Sequence, residues 1–179
     1  YKVTGVQTCA LPICRLWDAL PSEIAWALFA DPQHLIYFAN YLASPFEFSS
    51  NDAGAVLLLG RDGGAVLVAD NLVRHHLDLA CVDDARGPVW YQGKRSAPRR
   101  QTRLVESALE AMREKKVDGV LGVESSSVPQ GIVEGWFSER PARKSIRVDE
   151  AAHRLRRRKD PDELALLRRS VRAGEAGFA

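Results

Sequence analysis

Four histidines are the side chains of this sequence best suited to metal binding or proton transfer near neutral pH: His34, His75, His76 and His153. His75 and His76 are adjacent, and neighbouring side chains on a strand point to opposite faces, so both cannot easily bind one metal ion. We expect that pair at a solvated loop or strand end. We expect His34 to pack or to cap, and we expect His153, which lies among arginines, to be exposed.

Acidic and hydroxyl side chains offer two further kinds of chemistry. The carboxylate pairs Asp83-Asp84 and Asp149-Glu150 have no converging histidines, which favours loop or helix-start positions over a metal site. The run Ser125–Ser127 contains candidate nucleophiles, but it lacks the Gly-x-Ser-x-Gly pattern of a nucleophile elbow. Ser127 and Gln130 have the spacing of a capping box, so we predict that these serines cap a helix.

Other short patterns indicate structure rather than catalysis. Gly60–Gly64 has neither the lysine of a phosphate-binding loop nor dinucleotide-binding spacing, so it is predicted to be a turn. Cys9, Cys14 and Cys81 are too few for a disulfide framework and lack zinc-ligand spacing, so a reducing cytoplasm is expected. The basic run Arg154–Lys159 has acidic neighbours and no interleaved aromatics, which predicts a salt-bridging linker between domains rather than a nucleic-acid site.

Size and composition are those of an ordinary globular chain. Its 179 residues indicate one domain with a short piece of a second. The 25 basic and 23 acidic residues give a net charge of +2, too balanced to demand a nucleic-acid or anionic-membrane partner. No apolar run approaches the roughly 18 residues of a transmembrane helix, and no secretory signal is recognisable. We therefore predict no membrane association.

Apolar runs and helical periodicity alternate from residue 24 onward. Strands are predicted at Ile24–Phe29, Gly54–Gly60, Gly64–Asp70, Val89–Gln92, Val117–Val123 and Ser145–Val148. Helical segments are predicted at 34–41, 104–112 and 128–137, and an exposed loop at Gly93–Arg100. Asp62-Gly63 between two apolar runs predicts a β-hairpin. This alternation predicts an α/β domain with a mixed sheet covered on both faces.

The first fourteen residues differ from the rest of the chain. The run from Val3 to Ile13 looks like a translated sequencing adapter and has little periodicity. We therefore predict an artefactual arm at residues 1–14 and leave it out of the fold prediction. Deleting it is expected to change thermal stability little.

The C-terminal segment carries the signals of a new helix. Asp160 suits the N-cap, Pro161 the first helical position and Glu163 the third. The apolar stripe of this helix consists of Leu164, Leu167, Val171 and Phe178. An apolar helix face with nothing after it to pack on predicts a further domain.

These features together resemble the N-terminal portion of the creatinase, prolidase and Xaa-Pro aminopeptidase family of metallopeptidases. The most specific stretch is Leu155–Arg169, which is similar to the linker and first helix by which that family enters its catalytic domain. Asp31–Asn40 is similar to the family's early turn and short helix. The hairpin at 55–70 and the strand Asp118–Glu124 follow in the expected order. The resemblance covers residues 15–179.

The resemblance implies a specific fold and domain division. The fold would be a mixed six-stranded sheet flanked by helices, related to ribonuclease H. Residues 1–14 would be the arm, residues 15–158 the creatinase-like N-terminal domain, and residues 159–179 the start of a truncated catalytic domain with the pita-bread fold. In the family, two Asp, one His and two Glu of that second domain bind two divalent metal ions (Mn, Co or Zn), which activate water for hydrolysis.

All five ligands would lie beyond residue 179, so the resemblance implies no catalytic, cofactor-binding or metal-binding residue in this chain. It implies a homodimeric parent hydrolase that acts on proline-containing peptides, or on a dipeptide or creatine-like substrate. The N-terminal domain would serve dimerisation and shape the approach to the active site. The loops Ser44–Asp52 and Gly93–Arg100 are the candidates for that shaping.

Two alternatives from other classes remain open. One is a free-standing α/β binding or scaffold domain without catalytic activity. The other is an α/β domain that binds RNA or DNA, which predicts salt-dependent binding to unrelated oligonucleotides.

Overall fold

Helices and strands alternate along the computed structural model, which describes residues 10–42, 54–70, 74–89, 91–92, 95–96 and 99–178. The helices are α1 (Ala10–Ala19), α2 (Pro32–Ala39), α3 (Arg74–Leu77), α4 (Arg100–Glu114), α5 (Gln130–Glu139), α6 (Asp149–Arg157) and α7 (Pro161–Phe178). The strands are β1 (Ile24–Phe29), β2 (Ala55–Gly60), β3 (Ala65–Ala69), β4 (Asp84–Arg86), β5 (Tyr91–Gln92), β6 (Arg95–Ser96), β7 (Val120–Val123) and β8 (Lys144–Arg147).

Six strands form one mixed sheet in the order β4-β3-β2-β1-β7-β8. The pairs β1/β2 and β2/β3 are antiparallel, whereas β3/β4, β1/β7 and β7/β8 are parallel. The predicted hairpin is confirmed, and Gly63 and Gly64 both have positive φ in its turn, at 100° and 89°. The mixed sheet is therefore the architecture that the alternation predicted, and its six strands are the number that the family resemblance implied. Strand β4, which contains Asp84, was not predicted, because the Asp83-Asp84 pair was expected in a loop or at a helix start.

Alternate residues of the central strands face opposite sides of the sheet, because the side-chain period of a strand is two. On one side, Phe29, Leu57 and Leu67 pack with residues of α1, α2 and α6. On the other side, Leu28 and Leu58 pack with α4 and α5. Helices thus cover both faces, which is why these strands read as nearly continuous apolar runs.

The amphipathic helix predicted around 104–112 is α4, and its buried residues are Leu104, Ala108, Ala111 and Met112. The capping-box prediction for Ser127 is wrong. Helix α5 begins at Gln130 after Pro129, and no side chain caps it. The serine run is instead a turn that follows β7.

Helix α1 begins at Ala10, inside the segment that was predicted to be an arm. Within that segment Pro12 is buried, and Ile13 packs against the core. Proline is tolerated in a first helical turn because that N–H has no intrahelical partner. Residues 1–9, including Cys9, lie outside the described residues.

Three other local predictions change in the structure. The strand predicted at Val89–Gln92 is observed at residues 91–92 as β5, which pairs with β6 in a two-stranded sheet outside the main one, and the loop predicted at Gly93–Arg100 contains β6 and the first residue of α4. His75 and His76 lie in helix α3 rather than at a strand end. Residues 154–157 of the predicted basic linker form the last turn of α6. The candidate loop Ser44–Asp52 lies outside the described residues, as do residues 93, 94, 97 and 98.

Candidate functional site

The carboxyl ends of β1 and β7 meet at one edge of the sheet because the two strands are parallel neighbours. Glu124 follows β7 directly and is fully buried. Its Oε2 accepts hydrogen bonds from the backbone N–H groups of Ala30, at 2.8 Å, and Asp31, at 2.7 Å. Both N–H groups belong to the residues at which the chain leaves β1. One buried carboxylate therefore fixes the exit of the neighbouring strand.

Helix α2 brings a histidine to the other oxygen of this carboxylate. Asp31 is the N-cap of α2, and its Oδ1 accepts the N–H of Gln33 at 2.7 Å. This places His34 in the first helical turn, fully buried, with its Nδ1 in hydrogen-bonding contact with Glu124 Oε1. The imidazole also lies 6.1 Å from the ring of Phe29, measured between centroids. The prediction that His34 packs is confirmed.

Helix α6 supplies the third member of this group. A guanidinium nitrogen of Arg156 lies 3.3 Å from His34 Nε2, and a second one donates to the side-chain oxygen of Gln33. We call Glu124, His34 and Arg156 the carboxyl-edge triad. The ring of His153 lies 4.9 Å from that of His34, and His153 is half-buried rather than exposed as predicted. Packing between α6 and α2 explains that difference.

A second carboxylate accepts backbone N–H groups in the same way beside the next strand, β8. Asp149 follows β8, and its two oxygens accept the N–H groups of Ser125, at 3.1 Å, and Ser126, at 2.9 Å. Burial alone would raise the pKa of Asp149, but hydrogen bonds from the side chain and backbone of Ser126 and from the backbone of Ser125 outweigh it and lower that pKa. The serines are thus held as a turn, and a nucleophilic role gains no support.

Three side chains at this edge are close enough together to be considered as ligands of a metal ion. Asp31, His34 and Glu124 each offer one ligand atom, and these atoms lie within 4.8 Å of one another. The oxygens of Glu124 already accept the Ala30 and Asp31 N–H groups and contact the imidazole. One imidazole and two engaged carboxylates do not match the five ligands of a dinuclear hydrolase centre. The residues at this edge therefore do not fit such a metal pair.

The remaining candidates have structural partners or lie apart from the triad. Asp83 Oδ2 accepts the N–H of Ala65 at 2.7 Å, and Asp84 forms an ion pair with Arg86 at 2.6 Å. The Glu150 carboxylate pairs with an arginine of its own helix. Cys81, like Cys14, is exposed and has a free thiol, although a cysteine in such a position is more often buried or half-buried. Among the described residues, these carboxylates and thiols form no hydrogen bond or ion pair with the carboxyl-edge triad.

Sequence reasoning missed three residues that organise the fold. Glu124 and Arg156 were seen only as the end of a strand and as part of a basic run. Arg61, in the hairpin turn, donates to the carbonyl oxygens of Ile24 at 2.8 Å, Trp17 at 3.0 Å and Pro21 at 2.6 Å. Arg61 therefore supplies hydrogen-bond donors to backbone carbonyl groups at the end of α1, after it and at the start of β1. A carboxylate directly after a buried apolar strand was the one available signal for Glu124.

Helix α7 leaves the sheet domain from a fixed starting point. Arg15 of α1 forms an ion pair with Asp160 at 2.7 Å, and the Asp160 N–H donates to Glu163 at 3.0 Å, which confirms the predicted N-terminal cap. No residue of α7 is buried. Leu167 and Val171 of the predicted apolar stripe are 49% and 59% exposed. Among the described residues, this stripe is therefore largely exposed to solvent.

Comparisons with solved structures show which known fold this chain shares. No protein-family model matches the sequence, and neither does any curated protein. The Xaa-Pro dipeptidase from Bacillus anthracis is 16% identical with a TM-score of 0.66, and the match covers 95% of this chain and 42% of that one. The recombinant prolidase from Thermococcus sibiricus is 14% identical with a TM-score of 0.65, covering 89% of this chain and 40% of that one.

A third structure, the N-terminal domain of Xaa-Pro dipeptidase from Lactobacillus brevis, is 11% identical with a TM-score of 0.55, and the match covers 81% of this chain and 98% of that one. The class of domain is thereby defined: an α/β domain with the fold of the N-terminal domains of prolidases and Xaa-Pro aminopeptidases. This chain spans about two fifths of the two longer peptidases that it matches. No helix among the described residues is both long and apolar enough to cross a membrane.

Proposed function

We propose that this chain is the non-catalytic N-terminal domain of a metal-dependent Xaa-Pro aminopeptidase or prolidase-like peptidase. Its role would be to support dimerisation and to shape the approach to the active site of the parent enzyme. Two divalent metal ions, the proline-containing peptide substrate and a cytoplasmic location belong to this proposal for the parent. The fold shared with prolidases and Xaa-Pro dipeptidases supports it.

The observation that carries the proposal is helix α7. It has 18 residues and a side-chain cap at its start, yet it buries none of them. Helical stability in proteins comes mostly from packing an apolar face, so an unpacked apolar stripe favours a partner surface. A catalytic domain that follows in the same chain would supply that surface.

Two experiments test the proposal: the gene is sequenced beyond codon 179, and peptidase activity is measured on the protein. We expect the reading frame to continue past codon 179 and to encode two Asp, one His and two Glu as metal ligands. The extended protein should cleave Xaa-Pro peptides when Mn²⁺ or Co²⁺ is added, and the 179-residue chain should not. A stop codon at position 180 in intact genomic sequence, or turnover by the 179-residue chain alone, would contradict the proposal.

The alternative of a free-standing binding or scaffold domain has one supporting observation. Apolar core clusters form on both faces of the sheet, and among the described residues neither cluster includes a residue of α7. Under that alternative, the α7 stripes of two chains associate with each other, or the stripe stays exposed without reducing the solubility of the chain. Light scattering of the 179-residue chain with α7 present and absent distinguishes it from a stripe that a second domain covers.

A further inference from the structure

A groove follows the seam where α1 packs against α6 and ends beside Asp160, the cap of α7. Its volume is about 420 Å³, within the roughly 300–1,000 Å³ of small-molecule sites. The residues that line it are Arg15, Ala19, Ala151, Arg154, Leu155, Arg158 and Asp160. We propose that this groove binds a small carboxylate with an apolar body, such as a short aliphatic acid or the C-terminal residue of a peptide. The inference concerns this domain alone and does not rest on the proposed peptidase role.

Two alanines leave the space in this seam. Ala19 lies four positions after Arg15 on one face of α1, and Ala151 lies four positions before Leu155 on one face of α6. Each alanine contributes only a methyl group, so side chains do not fill the seam. Ala151 and Leu155 are half-buried and pack against the core, which gives the groove an apolar floor. A ligand with a hydrocarbon body gains free energy by removing that floor from water.

The rim of the groove has an excess of positive charge. Asp160 accepts two hydrogen bonds from Nη1 of Arg15, at 2.9 and 2.7 Å, so these two charges balance each other. Arg154 uses its Nε for a bond of 3.0 Å to Glu150, and the two side chains of this pair are 73% and 60% exposed. Such an exposed pair contributes little and is easily exchanged for another partner. Arg158 forms no hydrogen bond or ion pair with any described residue.

The two remaining guanidinium groups determine the polar part of the ligand. A guanidinium has only donors, so the ligand must present acceptors. Arg154 and Arg158 are four positions apart and line the same groove, so one carboxylate can accept from both. Its hydrocarbon then covers the floor formed by Ala151 and Leu155. Inorganic phosphate has no hydrocarbon for this floor, and an alcohol has no charge for the rim.

An NMR titration of the isotope-labelled 179-residue chain tests the site. The probes are hexanoate, for a free acid, and N-acetyl-leucine, for a peptide C-terminus. We expect saturable shifts of backbone amides at residues 15–19 and 151–158, with a dissociation constant of about 1 mM for so small a ligand. Hexanol and acetate should each bind about tenfold more weakly, because each lacks one half of the recognised chemistry. If only one of the two acids binds, that acid identifies the source of the ligand.

Matched variants separate the groove from the general charge of α6. Arg158→Gln should weaken hexanoate binding roughly fivefold, as expected for one lost charge-assisted hydrogen bond. Arg157→Gln removes the same charge from an exposed position outside the groove and should change the affinity by less than about twofold. Ala19→Leu adds hydrocarbon at an exposed position of the lining and should abolish binding without changing the charge. The melting temperature of each variant shows that it remains folded.

Three results would overturn the site. One is the absence of saturable shifts at the groove with both acids. Another is equal weakening by Arg157→Gln and Arg158→Gln, because the attraction would then come from the charge of α6 as a whole. The third is hexanol binding as tightly as hexanoate, since the arginines would then play no part. Peptidase assays of the parent enzyme have no bearing on these results.

Discussion

Replacing Glu124 is the most direct way to test how this sheet edge is held together. Glu124→Gln keeps the shape of the side chain but removes its charge. If the amide oxygen keeps both backbone N–H bonds, the amide nitrogen must face His34 Nδ1. The imidazole then has to accept at Nδ1 and carry its proton on Nε2, where it confronts Arg156. One substitution therefore disturbs the whole triad.

The cost follows from the bonds that weaken. Three charge-assisted hydrogen bonds to the carboxylate become neutral, at up to about 1 kcal/mol each, and the Arg156–His34 bond is lost at a similar cost. We expect Glu124→Gln to lower the free energy of unfolding by about 2–4 kcal/mol. Glu124→Ala leaves two buried N–H groups and the imidazole without an acceptor, and about 4–5 kcal/mol is expected. The latter approaches the total stability of many domains.

Urea unfolding followed by circular dichroism measures both changes. Glu110 lies on the exposed face of α4, so Glu110→Gln serves as the matched control and should stay within about 0.5 kcal/mol of the parent chain. A Glu124→Gln variant as stable as this control would refute the assignment of a structural carboxylate at this edge.

Three further outcomes are expected. Arg61→Ala should lower the melting temperature by about 5–10 °C in a thermal scan, because three backbone carbonyl groups lose a shared donor, and Arg61→Lys should recover only part of this. A hydrogen bond from Arg143 lowers the pKa of Asp118. The Asp118 carboxylate therefore contributes stability above its unfolded-state pKa, and this contribution is lost as the pH falls through its folded-state pKa. In an acid titration, the melting temperature of Asp118→Asn should therefore fall less below about pH 4 than that of the parent chain. Replacing Leu167 and Val171 of the α7 stripe by serine should reduce light scattering of concentrated protein and leave the melting temperature unchanged, since both side chains are exposed; a large drop in melting temperature would mean that the stripe packs on the sheet domain.

Much of the architecture was predictable because it depends on local patterns. The strand at Ile24–Phe29, the hairpin around Asp62-Gly63 and the helix at 104–112 each carry a periodicity or a turn signal within a few residues. The Asp160 cap likewise lies wholly within a four-residue span. The error at Ser127 has a physical cause. A carboxylate 22 residues further on, Asp149, holds the serine turn, so the local spacing was not decisive.

The sequence by itself determined the α/β class, the two-sided burial of the central strands and the amphipathic character of α4 and α7, because each follows from side-chain periodicity and burial. Only the tertiary structure decided which polar side chains meet. Glu124 and Arg156 lie 32 positions apart in the chain and contact the same imidazole on α2. That meeting depends on the parallel pairing of β1 with β7 and on α6 packing over their ends, and no local pattern encodes a pairing between strands so distant in the chain.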